Sequence, residues 1–135
     1  DYLGRIPHGE VAKQMAHCRA GVALLRPGKN TNGHSGTMGN TKIFEEMMAG
    51  LPVICTDFSL WREFVERYHC GVCVDPEDVD QVVLALRRLL EHPEEARQMG
   101  ENGRRAVREA FNWSVEEQTL LGLYRDLSGS CDKGR

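Results

Sequence analysis

Short, continuous apolar runs alternate along this chain with stretches whose apolar residues recur at helical spacing. The apolar runs are Gly21–Leu25, Pro52–Thr56 and Gly71–Val74. Continuous runs of this length are typical of strands that belong to a parallel sheet and are buried on both faces. The alternation therefore predicts an α/β fold, with three parallel strands that pair in chain order through right-handed crossovers.

The helical stretches are expected to cover both faces of that sheet. This arrangement is a doubly wound parallel sheet of about three strands with extra C-terminal helices. Two helix starts carry capping-box sequences, Asp78 before Gln81 and Ser114 before Glu117. The predicted helices are Gly9–Cys18, Thr41–Ala49, Ser59–Tyr68, Asp78–Glu91, Pro93–Ala110 and Ser114–Leu127.

The helix predicted over 78–91 has a stripe of apolar residues that we expect to face the core. Its members are Val79, Val82, Val83, Leu86 and Leu90. The helix predicted over 93–110 contains Gly100 and Gly103. Because glycine is a poor helix former, we expect these two residues to interrupt or weaken the helix.

Other side chains are assigned structural roles from their spacing. The first helix after the long loop is expected to bury Ile43, Phe44, Met47 and Met48. Glu46 on the same helix is interpreted as a surface residue. Trp61 and Trp113 are expected to anchor packing. Arg62 and Glu63 are expected to form a surface or interdomain ion pair.

Three strands form a thin sheet, so one edge of it should be unpaired. We expect the outer edge of Gly21–Leu25 to be covered by a second copy, a swapped element or the N-terminal segment. The polar residues 128–135 are predicted to form a flexible tail.

Composition excludes several classes of function. The 135-residue chain has a net charge of −3 and scattered basic residues, whereas a nucleic-acid-binding surface would need clustered ones. No apolar run is long enough to span a bilayer. The five cysteines are odd in number, which favours free thiols in a reducing compartment and hence a cytoplasmic location. Cys70 and Cys73 have metal-ligand spacing but lack a second pair, so no metal and no cofactor are expected.

The segment 26–57 carries the strongest functional signal. A loop rich in Gly, Asn and Thr, 26–40, leads into the helix that begins at Thr41. Amides at a helix start suit a phosphate group, and a carboxylate suits a pair of sugar hydroxyls. Glu45 follows Thr41 by about 6 Å along the helix axis, close to the spacing of a pyrophosphate and a ribose. The segment therefore predicts half of a nucleotide site.

These features occur together with further motifs in a recognisable order and spacing. They are Gly4-Arg5-Ile6-Pro7, Thr41-Lys42-Ile43-Phe44-Glu45, Met48 to Ile54, Phe58 to Glu63, Cys70-Gly71-Val72, Val74-Asp75-Pro76 and Phe111-Asn112-Trp113. In these motifs the chain resembles the C-terminal half of the C-terminal domain of a GT-B glycosyltransferase of the retaining family 4 type. The resemblance covers about residues 3–127 and implies a partial Rossmann-like fold for residues 1–127.

The resemblance implies a nucleotide-sugar donor as the ligand. Glu45 aligns with the family glutamate that holds the ribose hydroxyls, and Asn40, Thr41 and Lys42 lie where the family places the diphosphate. Thr37 replaces the earlier glutamate of the family's E-x7-E pattern. Ser35, Gly36 and Met38 on the same loop are then the groups expected to reach the sugar or pyrophosphate.

The family's N-terminal acceptor domain and its basic phosphate-binding pair have no counterpart in this sequence. The resemblance therefore implies a fragment that is inactive alone. It leaves open homo-oligomers through the exposed sheet edge and peripheral membrane association of the full-length protein. Two alternatives also stay open: a non-enzymatic, flavodoxin-like binding or regulatory module, and a fragment of a GT-B sugar epimerase. The flavodoxin-like module would need acidic residues after the first strand, where Arg26-Pro27-Gly28-Lys29 stands instead.

Overall fold

The computed structural model describes residues 3–131 and contains one three-stranded parallel sheet. The strands β1 (Gly21–Ala23), β2 (Val53–Thr56) and β3 (Gly71–Val74) lie in the order β1-β2-β3. This confirms the predicted parallel sheet and its strand order. The described α-helices are α1 (His8–Met15), α2 (Thr41–Ala49), α3 (Ser59–Tyr68), α4 (Val79–Glu91), α5 (Pro93–Ala110) and α6 (Trp113–Cys131).

Strand β2 is central, and its residues are buried throughout. Val53 of β2 pairs with Gly21 of β1 on one side and with Gly71 of β3 on the other. Strand β1 is two residues shorter than predicted because the Thr56 hydroxyl replaces backbone pairing at Leu25. That hydroxyl accepts a hydrogen bond from the Leu25 amide at 2.7 Å and donates one to the Leu25 carbonyl at 2.9 Å.

The main core lies between the sheet and helices α2, α3 and α5. Trp61 is 1% exposed and belongs to it, as predicted for a packing anchor. An aromatic cluster closes one side of this core, with the Phe44 and Phe111 ring centroids 5.0 Å apart. The other described rings of the cluster are Phe64 and Tyr68. Met48, predicted to be buried, is instead 47% exposed, because α2 turns the opposite side to the core.

Helix α5 is continuous, so the prediction that Gly100 and Gly103 interrupt it was wrong. Both glycines are buried where α5 crosses α2 and the sheet. A Cβ atom at Gly100 would lie 2.0 Å from the Gly50 carbonyl oxygen. The absent side chains therefore let α5 approach α2 closely, and that packing offsets the poor helix propensity of glycine.

Helix α4 buries a different stripe from the predicted one. Ala85 and Leu89 are buried against Ile54 and Val74 on the second face of the sheet, and Val82 packs beside them. Of the predicted stripe, the residues that are instead exposed are Val79, Val83, Leu86 and Leu90. The two stripes are about a quarter turn apart, so apolar periodicity alone did not separate them.

The helix starts are partly as predicted. Asp78 caps α4, since its Oδ1 accepts a hydrogen bond from the Gln81 amide at 3.0 Å. Ser114 was wrongly expected to cap α6, which begins one residue earlier and has the Asn112 Oδ1 as acceptor for the Val115 amide at 3.3 Å. Trp113 is 69% exposed and anchors no core. Of the predicted tail, residues 128–131 continue α6, and 132–135 lie outside the described residues.

Candidate functional site

The long loop 26–40 leaves the sheet at the carboxyl end of β1 and is held at that point by Thr56. Its first half folds around Thr31, which is 4% exposed. The Thr31 hydroxyl accepts a hydrogen bond from the Gly28 amide at 2.8 Å and lies 2.9 Å from the Gly33 carbonyl. These contacts give the loop a defined shape beside the sheet.

The second half of the loop is docked on the start of α3. The Ser35 carbonyl accepts a hydrogen bond from the Leu60 amide at 2.9 Å. Gly36 has a φ of +80° and is so close to Phe58 that a Cβ atom would lie 2.8 Å from the Phe58 Cβ. The Thr37 carbonyl accepts a hydrogen bond from the buried Trp61 Nε1 at 3.0 Å. Ser35 and Gly36 therefore hold the loop in place.

Helix α2 begins at the end of this loop without a side-chain cap. Asn40 occupies the N-cap position, and its side chain makes no hydrogen bond to the first turn. Thr41 is the first helical residue, and the N-cap position belongs to Asn40. The amides at the start of a helix have no partner within the helix, which leaves these donors available to a ligand.

The residues at this helix start line an open hollow of about 950 Å³ between the loop and α2. Thr37, Asn40, Thr41 and Lys42, four of the predicted site residues, line it. Further lining residues include the cations Arg26 and Lys29. Arg26 also approaches Glu77, with 3.2 Å between Nε and Oε1. Three cationic side chains around exposed amides make this hollow suited to an anion.

Glu45 lies one turn further along α2 and borders a second hollow of about 480 Å³ between α1 and α2. Its side chain is 45% exposed, and its Oε1 is 3.9 Å from the Nε2 of His8. Val11, Met15 and Met48 give this hollow an apolar lining. Glu45 is thus off the core face and borders a different hollow from Lys42.

Glu46 is buried, so its interpretation as a surface residue was wrong. It is 4% exposed, and its carboxylate lies against Gly21 of the edge strand β1. Its Oε2 has no hydrogen-bond partner among the described residues. Burial raises the pKa of Glu46, while the nearby Lys42 and a hydrogen bond from the Val22 backbone lower it. A side chain would not fit at position 21, so the glycine makes room for the carboxylate.

The sequence had suggested an ion pair between Arg62 and Glu63, but Arg62 pairs with Asp57 instead. Its guanidinium donates two hydrogen bonds to the carboxylate of Asp57 in the turn after β2. These bonds raise the pKa of Arg62. The pair fixes the turn at the same end of the sheet as the anion hollow.

Sequence reasoning missed three residues that shape the site: His8, Thr31 and Thr56. Thr56 could have been noticed, because a hydroxyl at the carboxyl end of a buried strand is placed to bond the next loop. Nothing in the spacing of His8 or Thr31 links them to α2 or to the loop fold. In the described part of the chain, no group of three His, Cys, Asp or Glu side chains is placed to hold a metal ion.

A family model described as glycosyl transferase-like matches residues 1–122. The chain belongs to this glycosyl transferase-like family. A relative, the MMP alpha-(1->4)-mannosyltransferase of Mycolicibacterium hassiacum, is 40% identical over 78 residues. That alignment covers 56% of this chain and 19% of the mannosyltransferase.

A solved structure shares the fold of this chain over part of its length. The sucrose-phosphate synthase from Thermosynechococcus elongatus superimposes with a TM-score of 0.76 at 28% identity. The superposition covers 96% of this chain and 30% of the synthase. The matches confirm the resemblance to part of a GT-B C-terminal domain, and the chain spans between 19% and 30% of these relatives. No helix in the described residues is long and apolar enough to cross a membrane.

Proposed function

We propose that this chain is the donor-binding part of a glycosyltransferase that moves a sugar from a nucleotide-diphosphate sugar to an acceptor, such as a glycan or a lipid-linked intermediate. One observation carries the proposal: the uncapped start of α2 faces a cation-lined hollow, and an exposed carboxylate follows one turn later. Family membership favours this function over the flavodoxin-like module, and no feature of the described site favours the epimerase.

The diphosphate would lie in the hollow at the start of α2. The free amides near Asn40 and Thr41 would donate hydrogen bonds to its oxygens, and the helix dipole would favour its negative charge. Lys42, with Arg26 and Lys29 across the hollow, would supply positive charge. A bound phosphate would also offset the unfavourable position of Lys42 in the first turn of a helix.

The ribose would lie at Glu45, one turn from the diphosphate. A carboxylate that accepts two hydrogen bonds from vicinal hydroxyls makes charge-assisted bonds of the stronger kind. The base would then extend toward the neighbouring hollow bounded by Arg5, Ile6 and His8. The transferred sugar would extend past Thr37, where the family's first glutamate is absent.

We propose that sugar transfer needs an acceptor-binding domain that these 135 residues do not supply. Catalysis would then depend on a closed cleft between two domains. In this proposal the whole protein acts in the cytoplasm, and association through the β1 edge or with a membrane surface would be properties of that protein. The purified chain should not transfer sugar from any nucleotide donor, and transfer by it would overturn this part of the proposal.

The ribose role of Glu45 can be tested by calorimetric titration of the chain with uridine, guanosine and adenosine diphosphates. Glu45→Ala should weaken binding of the nucleotide that the parent prefers, since two hydrogen bonds to a charged group contribute about 1.5–3 kcal/mol each. Glu63→Ala, which removes an exposed glutamate on α3, is the matched control.

A second ligand separates direct contact from indirect effects. The 2′,3′-dideoxy analogue of the preferred nucleotide lacks the hydroxyls that Glu45 would hold. The parent should bind this analogue about as weakly as Glu45→Ala binds the normal nucleotide, and Glu45→Ala should not distinguish the two ligands. If Glu45→Ala weakens binding of the analogue as much as it weakens binding of the normal nucleotide, Glu45 does not hold the ribose hydroxyls.

A further inference from the structure

Two cysteines face each other across the strand pair β2–β3. Cys55 and Cys73 are register partners in the parallel sheet, and their sulfur atoms are 3.7 Å apart. Neighbouring strands are separated by about 4.8 Å, which is within the Cα–Cα range of disulfide-bonded cysteines. Both residues are free thiols in this structure. The sulfur atoms need to approach each other by less than about 2 Å to bond.

The two thiols differ in their access to solvent. Cys55 is 0% exposed and belongs to the main core. Cys73 is half-buried and lines a hollow of about 370 Å³ that also contains Asp57, Arg62 and His69. A small oxidant that enters this hollow therefore meets Cys73 first.

The environment of Cys55 keeps its thiol protonated until Cys73 has been oxidised. The hydrogen bond with Cys73 and burial both raise the pKa of the Cys55 thiol. A buried thiol of this kind is inert toward external reagents. Cys55 can nevertheless react with a group delivered at contact distance, and the Cys73 sulfur lies 3.7 Å away.

We propose that Cys55 and Cys73 form a reversible redox pair, in which Cys73 is oxidised first and Cys55 resolves it as a disulfide. With hydrogen peroxide as the oxidant, the Cys73 sulfur attacks one peroxide oxygen, the O–O bond breaks, and Cys73 sulfenic acid and water form. The Cys55 sulfur then attacks the Cys73 sulfur, and the hydroxyl leaves as a second water with the Cys55 proton. Overall, two thiols and one peroxide give one disulfide and two waters.

The disulfide would join the strands next to the proposed donor site. Residue 56 follows Cys55 directly, and its hydroxyl holds the start of the loop at Leu25. Val74 follows Cys73, and its carbonyl accepts a hydrogen bond from the Asp57 amide at 2.9 Å. The pair thus lies one residue before the ends of the two strands, next to the turns that shape the anion hollow. The redox chemistry does not depend on the proposed function.

Peptide mapping of the intact chain tests this proposal. The fully reduced chain is treated with hydrogen peroxide, blocked with N-ethylmaleimide and digested without reduction. We expect a peptide that links Cys55 to Cys73, a fall in free thiols from five to three, and full recovery with dithiothreitol. A linkage of Cys73 to Cys70, Cys18 or Cys131, or oxidation of Cys73 beyond sulfenic acid with Cys55 still reduced, would overturn the proposal.

Two variants separate the roles of the sulfur atoms. Cys73→Ser should leave Cys55 reduced and lower its rate of modification at least about tenfold, because the buried thiol has lost its partner. Cys55→Ser should let a dimedone adduct accumulate on Cys73. Cys70→Ser should not change the linkage, and a linkage lost in this variant would count against the assigned pair. The mapping of the parent chain decides the question if a variant does not fold.

Discussion

The two ends of helix α2 differ in whether other residues form hydrogen bonds with their free backbone groups. At its C-terminus, Gly50 adopts a left-handed conformation with φ of +79°, and Arg104 donates hydrogen bonds to the carbonyls of Met48 at 3.1 Å and Ala49 at 2.6 Å. At its N-terminus, the Asn40 side chain caps nothing. The closed end contributes to stability, whereas the open end leaves donors for a ligand. Changes at the two ends should therefore separate stability from nucleotide binding.

The largest expected effect comes from the body of the helix between these ends. Phe44→Ala should lower the free energy of unfolding by about 3–5 kcal/mol, because it leaves a cavity among the aromatic rings. Phe44 packs with its ring centroid 5.0 Å from that of Phe111 and 6.0 Å from that of Phe64. Thermal and denaturant unfolding measure the change, and Met48→Ala, at an exposed position of the same helix, is the control. A loss below about 1 kcal/mol would show that the cluster does not anchor α2.

The sequence predicted α2 and its neighbours well for a physical reason. Gly50 and Pro52 end the helix and open the next strand, and such local signals do not depend on distant parts of the chain. The bounds of α2, α3, β3 and α5 are those predicted. Local signals of this kind cannot determine which face of a helix a distant element covers. For this reason the buried stripe of α4 was predicted a quarter turn away from its true position.

The candidate site was predictable to a similar degree. The amides at 40–42 and Glu45 follow from loop composition and helix spacing. The burial of Glu46 does not, because it depends on Gly21, 25 positions earlier, which has no side chain to exclude the carboxylate. The hollow that Glu45 borders likewise depends on where α1 packs. That placement results from tertiary contacts, which the spacing of residues within α2 does not predict.

The next effect in size concerns the closed end of α2. Arg104→Ala should cost about 1–2 kcal/mol of unfolding free energy, because it removes charge-assisted hydrogen bonds to carbonyls that have no partner within the helix. Nucleotide affinity should fall much less than in Glu45→Ala, although Arg104 also lines the hollow that Glu45 borders. Arg105→Ala, which removes the neighbouring exposed cation, should cost less than about 0.5 kcal/mol. If Arg104→Ala weakens nucleotide binding as strongly as it lowers stability, the two ends of α2 are not independent.

A smaller effect of opposite sign is expected at Glu46. Glu46→Gln should raise the free energy of unfolding by about 1 kcal/mol near neutral pH, since it removes a buried charge with an unpaired oxygen. Burial raises the folded-state pKa of Glu46 above its ordinary value of 4.5. Below that ordinary value the carboxyl is protonated in both the folded and the unfolded chain, and the parent and the variant should be equally stable.

As the pH rises through the folded-state pKa, the parent loses the contribution that the protonated carboxyl makes, whereas the variant does not. The difference between the two chains should therefore grow with rising pH and then level off. Denaturant unfolding of both proteins across the acidic and neutral range measures it. A difference that is constant with pH would mean that Glu46 does not titrate on folding.

The smallest expected effect comes from capping the open N-terminus of α2. This change should raise the stability of the chain and lower its affinity for nucleotide. Asn40→Asp places a carboxylate at the N-cap position, where it can accept hydrogen bonds from the first-turn amides and interact favourably with the helix dipole. The free energy of unfolding should rise by about 0.5 kcal/mol. Nucleoside diphosphate should bind more weakly, because the carboxylate competes for the amides that the diphosphate would use.

Asn30→Asp is the matched control, since residue 30 lines the same hollow without standing at the helix start. It adds the same charge but leaves the amides free, so its effect on binding should be smaller and should largely disappear at high salt. If Asn40→Asp stabilises the chain and leaves nucleotide affinity unchanged, the amides at the start of α2 do not hold the diphosphate, and the open end would need a different explanation.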